Sequence, residues 1–340
     1  MTLSKYHSTK EFLVNNRFTW IVTGAAGFIG SHLVEELILL NQRVVGIDNF
    51  LTGKKSNLAI IESKHGEFFK DNFDFYEIDI TSSELNNYLP KADFILHQAA
   101  LGSVPRSISN PIDTNNNNVD GFLNMLVFAK DANIKRFVYA SSSSVYGDHP
   151  GLPKIESQTG NLLSPYAVSK MIDELYASVF NRNYKLETIG LRYFNVFGPR
   201  QDPDGPYAAV IPKWISQIID SKEVVINGDG ETSRDFCYVK NVVQANILAA
   251  LSETKIENGS VYNISYGGQT TLNQLLEIIY SEIKKFSPSL KLKKSYVDFR
   301  DGDIRHSIAN ISKAKNQLGY EPEYDFLSGI IETIKLLFKN

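Results

Sequence analysis

The sequence predicts an α/β protein: a doubly wound parallel sheet joined to a smaller α/β lobe. Three observations carry that expectation. Short apolar runs alternate with helical patterns through the first two thirds of the chain. A glycine turn, Gly24-Ala-Ala-Gly27-Phe-Ile-Gly30, separates the first run from the first helix. Thr23, Asp48, Asp79, His97 and the serines after Ala140 all fall where strands should end, and in such a sheet those ends form the ligand crevice.

The first strand is Trp20 to Val22, and Leu33, Leu37 and Leu40 recur at helical spacing after the glycines. That turn suits a phosphate. Glycine lets the backbone approach a pyrophosphate, and the helix N-terminus offers unpaired N–H groups at the positive end of its dipole. The spacing is GxxGxxG, one residue longer than the commoner dinucleotide fingerprint. A second run, Arg43-Val-Val-Gly-Ile47, ends in Asp48. A carboxylate there takes both ribose hydroxyls of an adenosine and repels a 2′-phosphate, which points to NAD rather than NADP.

Asn49 through Gly53 is a polar turn near the adenine end. Phe73 to Asp79 alternates as a strand; Asp79 either accepts from the adenine amino group or caps a turn. Ala92 to His97 is another buried strand, running into the small residues of Gln98-Ala-Ala100. Asn115 through Lys130 reads as a helix with Val119, Phe122, Leu123, Leu126 and Val127 on one side. Arg136 to Ala140 and Leu186 to Leu191 are the fifth and sixth strands.

Beyond Asn195 the texture changes. Gly198 to Pro206 is loop chemistry. A short strand at Glu223 to Ile226, a helix at Val242 to Leu251, a returning strand at Ser260 to Ile264 and helices near 271–285 and 312–318 follow. The expected domains are 18–195 with 234–264 for the sheet, and 196–233 with 265–340 for the lobe. Residues 1–17 form an N-terminal extension.

A chain of 340 residues, 43% hydrophobic and 21% charged, buries a sizeable core. A net charge of −3 gives no electrostatic case for nucleic acid or an anionic membrane. The lone Cys237 reads as a small buried hydrophobe in a reducing compartment. The six histidines are scattered without ligand spacing, so no metal site is expected. The start of the chain lacks the apolar core of a signal peptide, and no run reaches membrane-span length. A cytoplasmic protein is expected.

Ser141-Ser-Ser-Ser144-Val-Tyr-Gly147 leaves the fifth strand, and Ser164-Pro-Tyr166-Ala-Val-Ser-Lys170 begins the next helix. Tyr166 and Lys170 are four apart and share a helix face. An ammonium beside a phenol favours the phenolate, so Tyr166 is a candidate general base, with a serine hydroxyl to hold the same substrate oxygen.

The glycine turn, Tyr166-x-x-x-Lys170 and the upstream serines together resemble the extended short-chain dehydrogenase/reductase family, over about residues 18–335. Leu191-Arg-Tyr-Phe-Asn195-Val-Phe-Gly-Pro199 and Arg300-Asp-Gly-Asp303 look like its nucleotide-sugar branch. His97 to Ser107, Tyr146 to Pro153, Ala208 to Trp214 and Asn227 to Cys237 look like bacterial UDP-N-acetylglucosamine 4-epimerases of polysaccharide biosynthesis. The resemblance implies a Rossmann fold, a UDP-sugar substrate, bound NAD and a homodimer through helices near 115–130 and 165–182. Tyr166 would take the proton of the sugar 4-hydroxyl as hydride leaves C4, and return it after the 4-keto sugar turns over.

It further implies that Lys170 tunes Tyr166 and holds the nicotinamide ribose. Ser142 matches the catalytic serine, with Ser143 and Ser144 sharing that role or touching the sugar. To the cofactor it assigns Gly24, Gly27, Phe28, Ile29, Gly30, Asp48, Asn49, Asp79, Ile80, Gln98, Asn117, Tyr166 and Lys170. To the UDP-sugar it assigns Ser103, Ser142, Ser143, Asn195, Ala209, Val210, Trp214, Arg234, Arg300, Asp303 and Ser307. Arg234 and Arg300 suit a diphosphate, each a permanent cation with a planar donor fork; Trp214 is equally a core residue. Ser307 aligns with a position where a large tyrosine limits relatives to non-acetylated sugars, so acetylated substrates are expected.

Three alternatives stand beside this reading. A 4-epimerase preferring UDP-uronic acids would use Arg305 and His306 against a carboxylate. A dehydratase or decarboxylase on the same scaffold would need an acid/base pair where Ser143 and Ser144 stand. A non-catalytic NAD-binding sensor would tolerate loss of Tyr166 or Lys170, and both are present.

Overall fold

The computed structural model describes residues 4–82, 84–204, 208–253, 259–299 and 304–338. Its strands are β1 (Thr19–Thr23), β2 (Arg43–Asp48), β3 (Phe73–Glu77), β4 (Phe94–His97), β5 (Arg136–Ser142), β6 (Thr188–Tyr193) and β7 (Val196–Phe197). They continue with β8 (Glu223–Asn227), β9 (Ser233–Arg234), β10 (Cys237–Tyr238), β11 (Ser260–Ile264), β12 (Thr270–Thr271) and β13 (Lys293–Val297). Seven of them make one parallel sheet in the order β11-β6-β5-β4-β1-β2-β3. The order reverses between β1 and β4, so the crevice opens beyond their C-terminal ends.

Alternation along β1 fills two cores. Trp20 and Val22 face Leu33 and Leu37 of the helix Phe28–Leu39, with Val242 and Leu248 of the helix Val239–Leu251. Ile21 faces the opposite way, onto Phe122 and Leu126 of the helix Gly121–Asp131 and Ala177 and Phe180 of the helix Pro165–Tyr184. Strands covered on both faces are apolar on both, which is why they read as continuous runs.

The helix expected over 115–130 differs in its start. Helical backbone begins at Pro111, and Asn116–Asp120 form a single π-turn before Gly121–Asp131. A π-turn admits one extra residue and re-aims the side chains around it.

The described part of the N-terminal extension packs against the sheet domain. Lys5–Asn15 is a helix whose Tyr6, Thr9 and Leu13 are buried. Buried Gln42 fastens it: its amide donates to Leu13 O (2.8 Å) and Asn16 O (3.1 Å) and accepts from Phe18 N (3.0 Å) and Trp20 Nε1 (3.1 Å). Spacing of i, i+3 and i+7 marked that face, but one polar and two apolar residues make a weak signal.

The smaller lobe packs Ile215, Leu276, Ile279 and Ile334 from the helices Val210–Ile219, Leu272–Lys284 and Phe326–Leu337 around Val224 and Ile226 of β8. Thr271 and Gln274 cap the second helix reciprocally. The expected helix at 312–318 is present, yet Ala309, Ile311, Ala314, Leu318 and Tyr320 join the core of the sheet, not of the lobe.

Candidate active site

A cavity of about 290 Å³ lies at the sheet's switch point. Of the residues expected at a cofactor, Gly24, Gly27, Phe28, Ile29, Gly30, Asp48, Asn49, Ile80, Gln98 and Asn117 line it. Ile47, Leu51, Thr52, Ile78 and Ala99 to Gly102 complete the wall. Gly24 has φ +66°, and a Cβ on Gly30 would stand 2.0 Å from Gly24 O. The turn therefore closes only with glycine at both positions.

Gly27 caps the helix Phe28–Leu39 without any side-chain hydrogen bond. A Cβ there would meet nothing within 4 Å except the Gly24 carbonyl group, and one on Gly102 would meet nothing at all. That open cradle over a helix N-terminus fits a pyrophosphate.

Asp48 is held for a ribose. Its Oδ2 accepts from Ala26 N (2.9 Å) and its Oδ1 from Phe50 N (2.8 Å), with Asn49 N a third backbone donor, so three of a carboxylate's roughly four acceptor positions are taken. Burial pushes its carboxyl above the ordinary aspartate range, although those N–H groups pull downward. Asp79 accepts from Asn49 Nδ2 (2.8 Å) and from Thr81 N and Oγ1 (2.8 and 2.7 Å). Partial burial opposes these bonds, which nevertheless hold its carboxyl low. Asp79 thus caps the turn and orients Asn49 at once.

Thr23 ties β1 to β4. Its Oγ1 accepts from Gln98 N (3.2 Å) and Ala99 N (3.1 Å), so its proton goes to His97 Nδ1 at 2.9 Å. His97 is buried, and burial with the nearby Lys170 ammonium pushes its imidazole down to about 3. It is neutral and serves as a fixed acceptor. Gln98 is fixed too, donating to Asn246 (3.1 Å) and accepting from Tyr193 (3.0 Å). Asn117 donates to Asp113 O (2.9 Å) from within the π-turn. Neighbouring Asn118 bonds Leu101 N (2.7 Å) and Ser169 Oγ (3.0 Å), fastening the cavity wall to the helix that carries Tyr166.

Tyr166 and Lys170 stand on the first turns of that helix, which Ser164 caps, its Oγ accepting from Ala167 N (3.1 Å). Tyr166 is half-buried and Lys170 buried. Ser142 ends β5 and accepts from Ser144 N (3.1 Å), setting up the 3₁₀ turn Ser143–Tyr146. Sequence reasoning missed Asp173, whose Oδ2 accepts from Lys170 Nζ at 3.1 Å. It also missed the carboxylate behind it: Glu174 takes both Arg192 (2.9 and 2.7 Å) and Ser141 (2.6 Å). Asp173 lies seven residues from Tyr166 and three from Lys170, so helical spacing alone contained that signal.

On the sugar side the expected residues come from separated segments. β9 runs beside residues 305–307: Ser307 N donates to Ser233 O (3.2 Å), and Arg234 Nη1 to Ser233 O (2.9 Å) and Arg305 O (3.3 Å). Asn195 Nδ2 donates to Asp235 O (3.0 Å). Asp235, also unforeseen, is fully buried and accepts from Ser265 Oγ (2.5 Å) and Ala309 N (3.0 Å), which locks these segments together. Ala209 caps the helix that Val210 begins. Ser103 caps the helix Val104–Ser109 through Arg106 N at 3.3 Å.

Trp214 takes the core position, one of the two readings its sequence context allowed. Its side chain is 3% exposed inside the lobe core, because the helix turns its apolar stripe inward there. Arg300 and Asp303 lie outside the described residues.

The family model described as "NAD dependent epimerase/dehydratase family" matches residues 20–265. The chain belongs to that family. A putative UDP-glucose 4-epimerase of Methanocaldococcus jannaschii is 36% identical over 323 residues, covering 94% of this chain and 98% of its own. Among solved structures, the UDP-N-acetylglucosamine 4-epimerase from Methanobrevibacter ruminantium M1 in complex with UDP-N-acetylmuramic acid is 41% identical, with a TM-score of 0.86. It covers 95% of this chain and 99% of its own. The UDP-glucuronic acid 4-epimerase from Bacillus cereus, with UDP-glucuronic acid and NAD, is 30% identical with a TM-score of 0.83 over 94% and 99%. The chain thus falls with the UDP-sugar 4-epimerases of the family, and NAD is its cofactor.

Proposed function

We propose that this epimerase interconverts UDP-N-acetylglucosamine and UDP-N-acetylgalactosamine through a transient 4-keto sugar, for surface polysaccharide biosynthesis. The observation that carries the reading is the Tyr166/Lys170 pair on one helix face, with Ser142 at the adjoining end of β5. NAD, when bound, supplies a reversible hydride acceptor. Tyr166 takes and returns the proton of the 4-hydroxyl, Lys170 favours its phenolate, and Ser142 holds the same oxygen. Gly24 through Gly30 cradle the pyrophosphate, and Asp48 takes the adenosine ribose.

On the sugar side, Arg234 and Arg300 meet the diphosphate, with Asn195, Ala209, Val210 and Asp303 around the nucleotide. Ser307, small and next to β9, leaves room for an N-acetyl group. The 41% identity to a UDP-N-acetylglucosamine 4-epimerase supports this choice. The uronic-acid alternative loses a support, because Arg305 is committed to Asp229 (2.6 Å) and His306 to Ser233 (2.7 Å).

Exposed Val168, Leu175 and Val179 on the helix Pro165–Tyr184 suit the homodimer proposed through 115–130 and 165–182; light scattering should give twice the chain mass. Initial rates on UDP-N-acetylglucosamine, UDP-glucose and the corresponding N-acetylated uronic acid at equal concentration test the substrate. The N-acetylhexosamine should lead, and a faster rate on either rival would refute the assignment.

A further inference from the structure

Tyr166, Lys170 and Asp173 form one stripe along the same helix, spaced i, i+4 and i+7. The Lys170 ammonium and the Asp173 carboxylate are 3.1 Å apart, with side chains 3% and 0% exposed. Asp173 has one oxygen on Lys170, while its Oδ1 is buried without a hydrogen-bond partner. The adjacent Glu174 is occupied by Arg192 and Ser141, so it does not share the task. The hydroxyl of Tyr139, within range of Asp173's charge, is likewise buried without a partner.

A buried ion pair is a weak source of stability, and a buried oxygen with no donor detracts from it. What Asp173 does supply is direction. Burial pushes the Asp173 carboxyl up to about 7 while Lys170 pulls it down; lysine carries four rotatable bonds and a point charge, and a fixed acceptor oxygen one turn further along the helix selects among its conformers. The ammonium so held acts electrostatically on His97, which ends β4 just before Gln98 of the cavity wall.

We propose that Asp173 is a positioning residue for the epimerisation, acting through Lys170. The inference rests on the reading of Tyr166 and Lys170 as the proton-transfer pair. Without Asp173 the ammonium is free to leave the place where it favours the Tyr166 phenolate and holds the nicotinamide ribose. Turnover and cofactor retention should then suffer while the sugar site is untouched.

The test compares wild type, Asp173→Asn, Lys170→Met and the double variant. Readouts are kcat and KM on UDP-N-acetylglucosamine, NAD retained per chain through gel filtration, and melting temperature. Asp173→Asn should lower kcat about tenfold with KM within about twofold, and retain less NAD. Added to Lys170→Met it should lower kcat no further, because its route is gone. An unchanged kcat, or equal losses in both backgrounds, would overturn the proposal.

Should Asp173→Asn not fold, Asp173→Glu keeps the charge but displaces it. It should fold and lose turnover, and wild-type kcat in that variant would equally overturn the proposal. Full turnover in Lys170→Met would instead sink the functional reading beneath it.

Discussion

The cofactor crevice and the sugar side are assembled differently. The crevice takes its wall from strand ends and the turns that leave them: Gly24 to Gly30 after β1, Asp48 and Asn49 ending and following β2, Gln98 to Gly102 after β4. Each piece is contiguous, and the sheet's hydrogen bonds fix their spacing. The sugar side joins β9, residues 305–307 and the Asn195 turn through Asp235 and backbone bonds between segments far apart in the chain. A sheet can thus keep one cofactor site while its lobe changes which sugar is accepted.

The largest expected effect is on the chemistry common to both. Tyr166→Phe should lower kcat by about 10³-fold or more, while NAD still co-purifies at wild-type occupancy. Loss of the cofactor would signal structural damage in its place.

Next is the crevice itself. Gly30→Ala puts a methyl 2.0 Å from Gly24 O, and the overpacking should cost about 1–3 kcal/mol. Urea unfolding should show that loss together with poor NAD retention. Wild-type occupancy would mean that the turn yields more readily than its geometry indicates.

A change confined to the lobe should sort sugars and spare the cofactor. Ser307→Tyr should reduce turnover of UDP-N-acetylglucosamine by about tenfold or more against UDP-glucose, the scale of a steric mismatch, with unchanged NAD content. Equal handling of the acetylated sugar would remove Ser307 from the specificity argument.

The smallest effect concerns a clasp between the two regions. Arg200, in the loop leaving β7, donates to Glu35 on the first sheet helix at 2.7 Å, and Lys64 and His65 join it. Burial opposes ionisation of Glu35, but the Lys64 and Arg200 charges and the hydrogen bonds from Lys64 and His65 outweigh it and hold its carboxyl down at about 2, from 4.5. Its folded value is depressed, so the stabilisation is complete above the unfolded value and is lost as pH falls through the folded one. Glu35→Gln should lower stability by about 1 kcal/mol at pH 7. The gap from wild type should close between pH 4.5 and about 2. A gap constant with pH would assign it to packing.

The same contrast explains what was legible. The parallel sheet and the glycine turn were visible because strand, turn and helix signals lie next to one another in sequence. Asp173 was visible in principle, three residues after Lys170, but a carboxylate on a helix normally reads as solvated. Asp235 gave no signal, since its partners Ser265 and Ala309 are distant in the chain. Trp214 was ambiguous in sequence, between ligand contact and core, and the helix stripe turns it into the core. The role of Lys5–Asn15 depended on Gln42, a buried amide whose five bonds no local pattern announces.

The most direct measurement is a proton NMR time course of the purified protein with UDP-N-acetylglucosamine deuterated at C4, with no NAD added and UDP-glucose in a parallel tube. The UDP-N-acetylgalactosamine anomeric signal should grow in, with deuterium kept at C4, faster than any change in the UDP-glucose tube. No product, even after NAD is supplied, or loss of the C4 deuterium to water, would contradict C4 epimerisation by internally returned hydride.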